Sequence, residues 1–443
     1  MERFFRLKEL GTNIRTELIA GLTTFMTMAY ILVVNPIILS GAGLEFYAVF
    51  LATALAAGIF TVIFGMFVNL PVALAPGMGL NAYFAAVVGS GETITPQMAL
   101  TAVFISGIIF IILTLTQIRQ MLVSAVPESL KFAITAGIGL FITIIGVKNS
   151  GIMTIHEDGI IGLGSITDPN VWLTIIGIFL IAILMVLRVP GAILLGIVLT
   201  TIIAAITGNV GSIASDAKWV PDFSALNFWH FDFQGVFEVG LVTVVLTFTF
   251  VELFDTFGTL VGTANRAGVD TSSAEGKKKI GKAMLVDAVS VSGGAVLGTS
   301  TVTAYIESSA GIAQGGRSGL TAVTTGVLFL LSLFIAPIVT LVPGAATSAA
   351  LVIVGALMMQ SIKNINFSDY VYAIPAFLMI VIMPFTYNIA NGISFGLVSY
   401  VVLAVIANLA GKKAEDGGAY KIHWLMWVLA VLILARYIFM AGE

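Results

Sequence analysis

The feature that most constrains this chain is a succession of apolar runs, most of them close to 20 residues long. A helix needs about 20 mostly apolar residues to cross the hydrocarbon core of a bilayer. We therefore predict an all-α polytopic membrane protein. Its uninterrupted spans should lie near residues 17–35, 46–69, 97–118, 129–147, 171–187, 191–207, 237–262, 279–297, 319–341, 346–361, 369–386 and 391–409.

The composition agrees with lipid as the main solvent. Only 10% of the 443 residues are charged, against roughly 25% in soluble domains. The chain has no cysteine, which excludes disulfides and thiolate chemistry. A further apolar stretch, 422–440, contains Trp424 and Trp427. Since tryptophan is enriched at membrane interfaces, this stretch either spans or lies along the surface.

The second half of the chain repeats the first. Short matches occur in the same order, among them LTAV at 100–103 and again at 320–323. Two apolar segments interrupted by Gly, Pro and Thr, 71–90 and 298–313, occupy equivalent places in the two halves. They bring the prediction to fourteen transmembrane segments, seven in each half. Because seven is odd, the second half is inverted, an arrangement typical of secondary transporters.

The placement of Lys and Arg predicts the orientation. With the N-terminus in the cytoplasm, all of the 20 Lys and Arg residues fall on the cytoplasmic side except Lys148, Lys218 and the unassigned Arg436. An excess of positive charge on the inner side is the rule for membrane proteins. We predict a multi-pass protein of the cell membrane with a cytoplasmic N-terminus.

The paired interrupted segments point to a binding site near the bilayer midplane, where irregular backbone is tolerated if it lines a cavity. Asn81 begins the intact part of the first segment and could offer an amide donor and acceptor to a polar ligand. A Gly-rich segment can also serve close helix packing. Two such segments in register, with carboxylates nearby, favour the site.

Four acidic residues lie deep in apolar segments: Glu252, Asp255, Asp287 and Glu307. An ionised side chain there costs about 2.5–3.5 kcal/mol, so such residues usually serve a function. Glu252 and Asp255 are three residues apart and share one helix face. Because no Lys or Arg lies at similar depth nearby, these desolvated carboxyl groups are candidate proton carriers.

Structural roles compete with this interpretation. Glu252 or Asp255 could cap or tether a neighbouring helix. For Asp287, five residues beyond Lys282, we expect a structural hydrogen bond. Glu307, beside the second interrupted segment, is the carboxylate whose position most favours a role in the site.

Enzymatic chemistries lack their motifs. The sequence contains no GxxxxGK[ST] phosphate loop, no His/Cys cluster for a metal, and no membrane histidine to activate a serine. We therefore predict a transporter, not an enzyme, with no cofactor, no metal and no nucleic-acid partner. An ion gradient would supply the energy for transport.

Three motifs carry a resemblance to a known family: APGMGLNAYF (75–84), FVELFDTFGT (250–259) and GTSTVTAYIESSAGI (298–312). They resemble the AzgA-like branch of the nucleobase cation symporter-2 family, the hypoxanthine, guanine and adenine permeases of bacteria and fungi. The likeness covers nearly the whole chain; only 412–443 adds little.

The resemblance implies the uracil-permease fold, with seven plus seven inverted spans. Spans 1–4 and 8–11 would form a core domain, in residues 1–125 and 236–342. Spans 5–7 and 12–14 would form a gate domain, in residues 126–210 and 343–411, and residues 412–443 would add a hydrophobic C-terminal helix. A homodimer is common for this fold.

The resemblance also implies how substrate is held, between the two interrupted segments and the span at 237–262. Glu307 would bind purine ring nitrogens, and Asp255 would be a substrate or proton carboxylate. Asn81 and Gly79 would shape the site from the first interrupted segment, and Thr303 would line it from the second.

Proton coupling is assigned by the same resemblance to Glu252, Asp255 and Glu307. Uracil permeases have a histidine one turn beyond the acid of span 8, whereas this chain has Thr259. The resemblance therefore implies coupling through the carboxylates and not through a histidine.

The sequence as a whole predicts a proton symporter that imports a purine nucleobase by alternating access. Overall resemblance favours hypoxanthine and guanine over adenine. Three alternatives stay open: coupling to sodium, an anion exchanger of the same fold, and a non-transporting membrane scaffold.

Overall fold

The computed structural model describes residues 2–89, 94–116, 125–155, 161–210, 218–238, 241–271, 273–414 and 418–439. Within these ranges the chain is mainly helical. The helices of the first half are α1 (Ile14–Met28), α2 (Ile31–Ser40), α3 (Phe46–Val68), α4 (Met78–Gly89), α5 (Pro96–Leu115), α6 (Glu128–Asn149), α7 (Pro169–Val186) and α8 (Ala192–Ile206). Its strands are β1 (Leu74–Pro76), β2 (Met153–Ile155) and β3 (Ile161–Leu163), of which β2 and β3 form an antiparallel pair.

The second half follows a 3-10 turn at Phe223–Ala225. It contains one strand, β4 (Val302–Ala304), among its described residues. The helices are α9 (Phe233–Glu238), α10 (Val242–Arg266), α11 (Ala274–Leu297), α12 (Ser308–Ala313), α13 (Gly319–Leu331), α14 (Ala336–Val339), α15 (Gly344–Met359), α16 (Tyr370–Phe385), α17 (Ile389–Leu409) and α18 (Trp424–Phe439), with 3-10 turns at Ser332–Ile335 and Gln360–Asn364.

The chain is a helical polytopic membrane protein. Ten helical stretches among the described residues are long and apolar enough to cross a membrane. Three shorter apolar helices, α4, α8 and α16, accompany them. The helices lie where the apolar runs predicted them. The arrangement as seven plus seven spans stays a prediction.

Three of the predicted continuous spans are interrupted, among them the one at 237–262, which contains the end of α9 and most of α10. The first becomes α1 and α2, separated at Ala29 and Tyr30, where hydrogen bonds from Leu32 N to Ala29 O and from Val33 N to Tyr30 O close three-residue turns. The predicted span at 319–341 leaves the α-helix after Leu331. Pro337 explains this end, because it lacks the N–H that would continue the helical ladder.

Strands are the feature that an all-α prediction overlooks. β1 from the first half pairs antiparallel with β4 from the second, in the register Leu74 with Ala304, Ala75 with Thr303 and Pro76 with Val302. All six of these residues are buried. The interrupted segments predicted at 71–90 and 298–313 thus each consist of a short strand followed by a helix, α4 or α12.

Glycines bring α3 and α13 into backbone contact. A Cβ atom at Gly65 would lie 2.5 Å from the carbonyl oxygen of Gly319, and one at Gly326 would lie 2.7 Å from that of Gly58. No side chain fits at these distances. Small residues permit this close approach in membranes, where van der Waals packing drives helix association.

The chain divides into two compact units. One comprises residues 1–115 and 145–353, and the other comprises 116–144 and 354–443. The first contains β1, β4 and the helices that follow them. The division into core and gate domains expected from the resemblance stays a prediction.

The second unit contains a tight connection to the C-terminal helix α18. The side-chain amide of Asn408 bonds both backbone groups of Tyr420, at 2.8 and 2.9 Å, and the Tyr420 hydroxyl donates to Asp369 Oδ2 at 2.8 Å. These bonds fix the segment that leads into α18.

A buried carboxylate, Glu17 on α1, caps the start of α13. It accepts hydrogen bonds from the backbone N–H groups of Arg317 (2.9 Å), Ser318 (3.3 Å) and Thr321 (3.2 Å) and from the Thr321 hydroxyl (2.6 Å). The first N–H groups of a helix lack partners within the helix, and negative charge is favourable there. Glu17 therefore ties together segments about 300 residues apart in sequence.

Replacing Glu17 by Gln turns one acceptor oxygen into a donor that faces N–H groups. We expect the free energy of unfolding to fall by about 2–4 kcal/mol, because buried donors lose their acceptor. Thermal unfolding in detergent measures this as a lower midpoint. Glu45→Gln is the control, since Glu45 is exposed and makes no cap hydrogen bond to α3. Equal midpoints for the two variants would contradict the capping role.

Candidate functional site

The site is built on the crossing of β1 and β4. Beyond the paired strands, Gly77 N donates to Thr301 O at 2.9 Å and Tyr305 N donates to Ala73 O at 3.0 Å. The backbone leaves the helical form here, and the strand pair satisfies groups that lipid could not. As a result α4 and α12 begin on either side of one small two-stranded sheet.

Asn81 lies one turn into α4 and is fully buried. Its Oδ1 accepts a hydrogen bond from the Ser300 hydroxyl, in the segment that leads into β4. Its Nδ2 has no hydrogen-bond partner among the described residues. Since a buried donor without a partner is costly, Asn81 has an amide N–H group available to a ligand or a water. Gly79, in the same first turn of α4, is half-buried.

Glu307 lies in the turn between β4 and α12 and is half-buried. Its Oε1 accepts a hydrogen bond of 2.9 Å from the hydroxyl of Tyr30. Tyr30 is fully buried at the interruption between α1 and α2. Sequence reasoning missed Tyr30; the only signal was a polar hydroxyl inside an apolar span, which needs a partner when buried.

A second polar cluster joins α10, α11 and β4. The Thr256 hydroxyl oxygen lies 2.9 Å from Glu252 Oε1, 2.9 Å from Asp287 Oδ2 and 2.8 Å from Thr303 Oγ1. All four side chains are buried. Thr303, a predicted substrate residue, therefore contacts the network of Glu252. Thr256 was missed, although it lies one turn after Glu252 and so on the same helix face.

Asp287 makes the kind of structural hydrogen bonds that the sequence suggested for it. Its Oδ1 accepts the backbone N–H of Ala304 at 3.0 Å. One turn further along α11, the Ser290 hydroxyl donates to the carbonyl of Val302 at 2.7 Å. Asp287 thus anchors β4 to α11.

The backbone of Asp255 lies on α10, three residues after Glu252, but its side chain lies outside the described residues. Its predicted role therefore stays a prediction. An aromatic pair lies near the same helices: Tyr83 on α4 and Phe248 on α10 meet edge to face, with ring centroids 5.1 Å apart. Phe248 precedes Glu252 by one turn, and Tyr83 follows Asn81 by two residues.

These contacts form two groups on one scaffold. Glu252 and Thr303 meet through Thr256, whereas Glu307 is held by Tyr30. Asn81 joins the scaffold through Ser300. Within the described part of the chain, no group of three or more His, Cys, Asp and Glu could hold a metal ion.

The family model described as "Permease family" (Xan_ur_permease) matches residues 15–395. The chain belongs to this permease family. The permease is 43% identical over 438 residues to the guanine/hypoxanthine permease PbuO of Bacillus subtilis, covering 98% of this chain and 99% of that one. It is also 43% identical over 408 residues to the adenine permease AdeP of Escherichia coli, covering 91% and 90%. The predicted resemblance is confirmed, and these relatives are permeases, not enzymes.

The fold of the permease is shared with solved transporters. The transmembrane domain of the cyanobacterial bicarbonate transporter BicA aligns with a TM-score of 0.60 and 17% identity, covering 88% of this chain and 97% of that domain. At this identity the likeness concerns the fold alone.

Replacing Asp287 by Ala removes the acceptor of the Ala304 N–H group and the partner of the Thr256 hydroxyl. We expect β4 to loosen, so that hydrogen–deuterium exchange in peptides covering 298–313 becomes faster. Glu275→Ala, at an exposed position in the first turn of the same helix, should leave that exchange unchanged. Wild-type exchange in the Asp287→Ala protein would refute the anchoring role.

Proposed function

We propose that this permease is a secondary active transporter that imports purine nucleobases by proton symport. The observation that carries the proposal is the set of three close oxygen contacts around the Thr256 hydroxyl, which outnumber the hydroxyl hydrogens available. A proton on a buried carboxyl group would supply the missing hydrogen. The names of the relatives, which include guanine/hypoxanthine and adenine permeases, support a purine as cargo.

The free polar atoms of the site suit a flat, neutral base. A purine offers N–H donors and, in hypoxanthine and guanine, a carbonyl acceptor. Glu307 offers a carboxylate acceptor whose Oε1 is already held by Tyr30, and Asn81 offers the donor Nδ2. A ligand that leaves either group unpaired loses affinity, because buried polar groups are costly without partners. Hydrogen bonding would thus select the cargo.

The proton follows from counting hydrogens around the Thr256 oxygen. Three oxygen atoms lie within 2.9 Å of it. Each contact needs one hydrogen to be attractive. Thr256 and Thr303 carry one hydroxyl hydrogen each. We propose that a carboxyl proton, on Glu252 or on Asp287, supplies the hydrogen of the third contact; the Thr303 hydroxyl oxygen also lies 3.4 Å from Asp287 Oδ1.

We assign this proton to Glu252. Asp287 already accepts the backbone N–H of Ala304, so it is suited to accept from Thr256 as well. Glu252 would then donate to Thr256, Thr256 to Asp287, and Thr303 to Thr256. Because Thr303 lies in β4, the protonation of Glu252 would bear directly on the strand that leads to Glu307.

Among the described residues, few ionisable groups lie on the inner parts of the elements that pack against α10. On the elements that pack against α10, these are Tyr83 on α4, Glu307 before α12, and Asp287 on α11; α5 and β4 have none. Asp255 belongs to α10 itself. The remaining charged residues lie at the end of α10, in the connection that follows it, or in the first three turns of α11: Arg266, Asp270, Glu275, Lys277, Lys278, Lys279 and Lys282.

The proposed cycle is alternating access in an inverted repeat of seven plus seven spans, with a cytoplasmic N-terminus. The antiparallel pairing of β1 and β4, one strand from each half, supports the repeat. Protonation of Glu252 and binding of purine would precede movement of the predicted core domain against the predicted gate domain. An anion exchanger is disfavoured, because acidic groups at the crossing would repel an anion.

Vesicles that contain the purified protein should accumulate radiolabelled hypoxanthine when the outside is more acidic than the inside. One pH unit supports roughly tenfold accumulation if one proton accompanies each purine. Adenine, guanine and bicarbonate serve as competitors, and a sodium gradient at equal pH tests the alternative ion. Accumulation driven by sodium alone would contradict proton coupling, and absence of purine uptake would refute the proposed cargo.

Glu252→Gln separates coupling from transport. The Gln amide can still donate to Thr256 but cannot release a proton. We expect gradient-driven accumulation to fall to about the equilibrium level, while exchange of labelled for unlabelled hypoxanthine persists.

Thr256→Val should give the same loss of accumulation, because it removes the hydroxyl that relays between the carboxyl groups. Thr263→Val is the matched control on the same helix: Thr263 is buried, but its hydroxyl donates to the carbonyl of Thr259. Accumulation at the wild-type level in Glu252→Gln would be evidence against the proton assignment.

A further inference from the structure

We propose that Tyr30 is a positioning residue that fixes the Glu307 carboxylate for the purine. This inference rests on the proposed function and adds a third segment of the chain to the site. The hydroxyl of Tyr30 donates to Glu307 Oε1 at 2.9 Å across 277 residues of sequence.

The position of Tyr30 is set by a break in the first membrane-spanning segment. α1 ends at Met28 and α2 begins at Ile31, so Tyr30 lies in the interruption. Its backbone remains in the right-handed helical region, with φ −57° and ψ −24°. A tightened turn of this kind redirects a side chain without ending the apolar span. The hydrogen bond to Glu307 shows that this break lies next to the turn that carries Glu307.

Close packing holds α1 against α12, the short helix that follows Glu307. A Cβ atom at Gly311 would lie 2.1 Å from Thr24 Oγ1 and 2.5 Å from the carbonyl oxygen of Ala20. The Thr27 hydroxyl lies 3.5 Å from the carbonyl oxygen of Glu307. Ala20, Thr24 and Thr27 follow one face of α1, and Tyr30 continues it. The separation between the Tyr30 hydroxyl and Glu307 is thus fixed by backbone packing.

The two side chains differ in conformational freedom. The hydrogen bond therefore restrains Glu307 more than it restrains Tyr30. Tyr30 is fully buried and has a rigid ring with two torsions. Glu307 is half-buried and has three torsions of its own. Holding Oε1 removes most of the rotamers that Glu307 would otherwise sample, and this orients the carboxylate to accept from a purine N–H group. Such preorganisation lowers the entropy cost of binding.

This role predicts a defect in affinity and not in turnover. Tyr30→Phe keeps the ring and its packing and deletes one oxygen atom. Without the tether, Glu307 must be ordered by the purine itself. We expect KM for hypoxanthine to rise about tenfold or more, the size expected for losing a hydrogen bond to a charged group, with Vmax within about twofold of wild type.

The test measures initial rates of hypoxanthine uptake in vesicles for wild type, Tyr30→Phe and Tyr400→Phe. Tyr400 is the matched control: it is buried, and its hydroxyl donates at 3.0 Å to the carbonyl of Lys421, in the other compact unit. Its KM should equal that of wild type. The rise in thermal midpoint caused by saturating hypoxanthine serves as a second readout and should shrink only in Tyr30→Phe.

Each outcome decides the inference. A Tyr30→Phe protein with wild-type KM, or with reduced Vmax and unchanged KM, would overturn the positioning role. A variant that does not fold would assign Tyr30 to core packing and would overturn the role equally. If the proposed function itself were wrong, the wild-type protein would take up no hypoxanthine, and this result is distinct from a defect confined to Tyr30→Phe.

Discussion

Everything at the site depends on the hydrogen bonds between β1 and β4. A membrane-embedded chain that leaves the helix must find new partners for its backbone N–H and C=O groups. Here each strand supplies partners for the other, with Gly77 to Thr301 and Tyr305 to Ala73 extending the ladder. Once the strands are paired, the starts of α4 and α12 are fixed at opposite ends of one small sheet. The same strand pair thereby sets the positions of both Asn81 and Glu307.

Buried polar side chains then lock this crossing to the surrounding helices. Glu17 caps α13 from α1, Asp287 holds β4 against α11, and Tyr30 holds Glu307 from the break after α1. A hydrogen bond in a low-dielectric interior is strong, and losing one partner leaves the other costly. Asp287 and Tyr30 therefore both stabilise the fold and contact residues of the candidate site. Thr256 illustrates this, since its hydroxyl oxygen joins α10 to α11 and β4 and also contacts Glu252, to which we assign the proton.

Much of the architecture could be predicted from the sequence. Apolar runs located the helices, and Gly, Pro and Thr marked the interrupted segments 71–90 and 298–313, because these residue types disfavour a continuous helix in predictable ways. Acidic residues in apolar surroundings marked Glu252 and Glu307, because charge in lipid is costly. The strands within those segments were not predicted, because three residues carry too little periodicity to indicate extended backbone.

The sequence by itself determined that this chain is a membrane protein and where along the chain its helices lie. It also determined which segments are interrupted and which carboxylates lie in apolar segments. Those properties follow from local hydrophobicity and backbone chemistry, which a linear pattern records. Only the tertiary structure decided that Tyr30 meets Glu307, that Thr256 lies between Glu252 and Asp287, and that Glu17 reaches α13. The physical reason is that a hydrogen bond requires atoms within about 3 Å, and closeness across hundreds of residues arises from packing, which no local pattern contains.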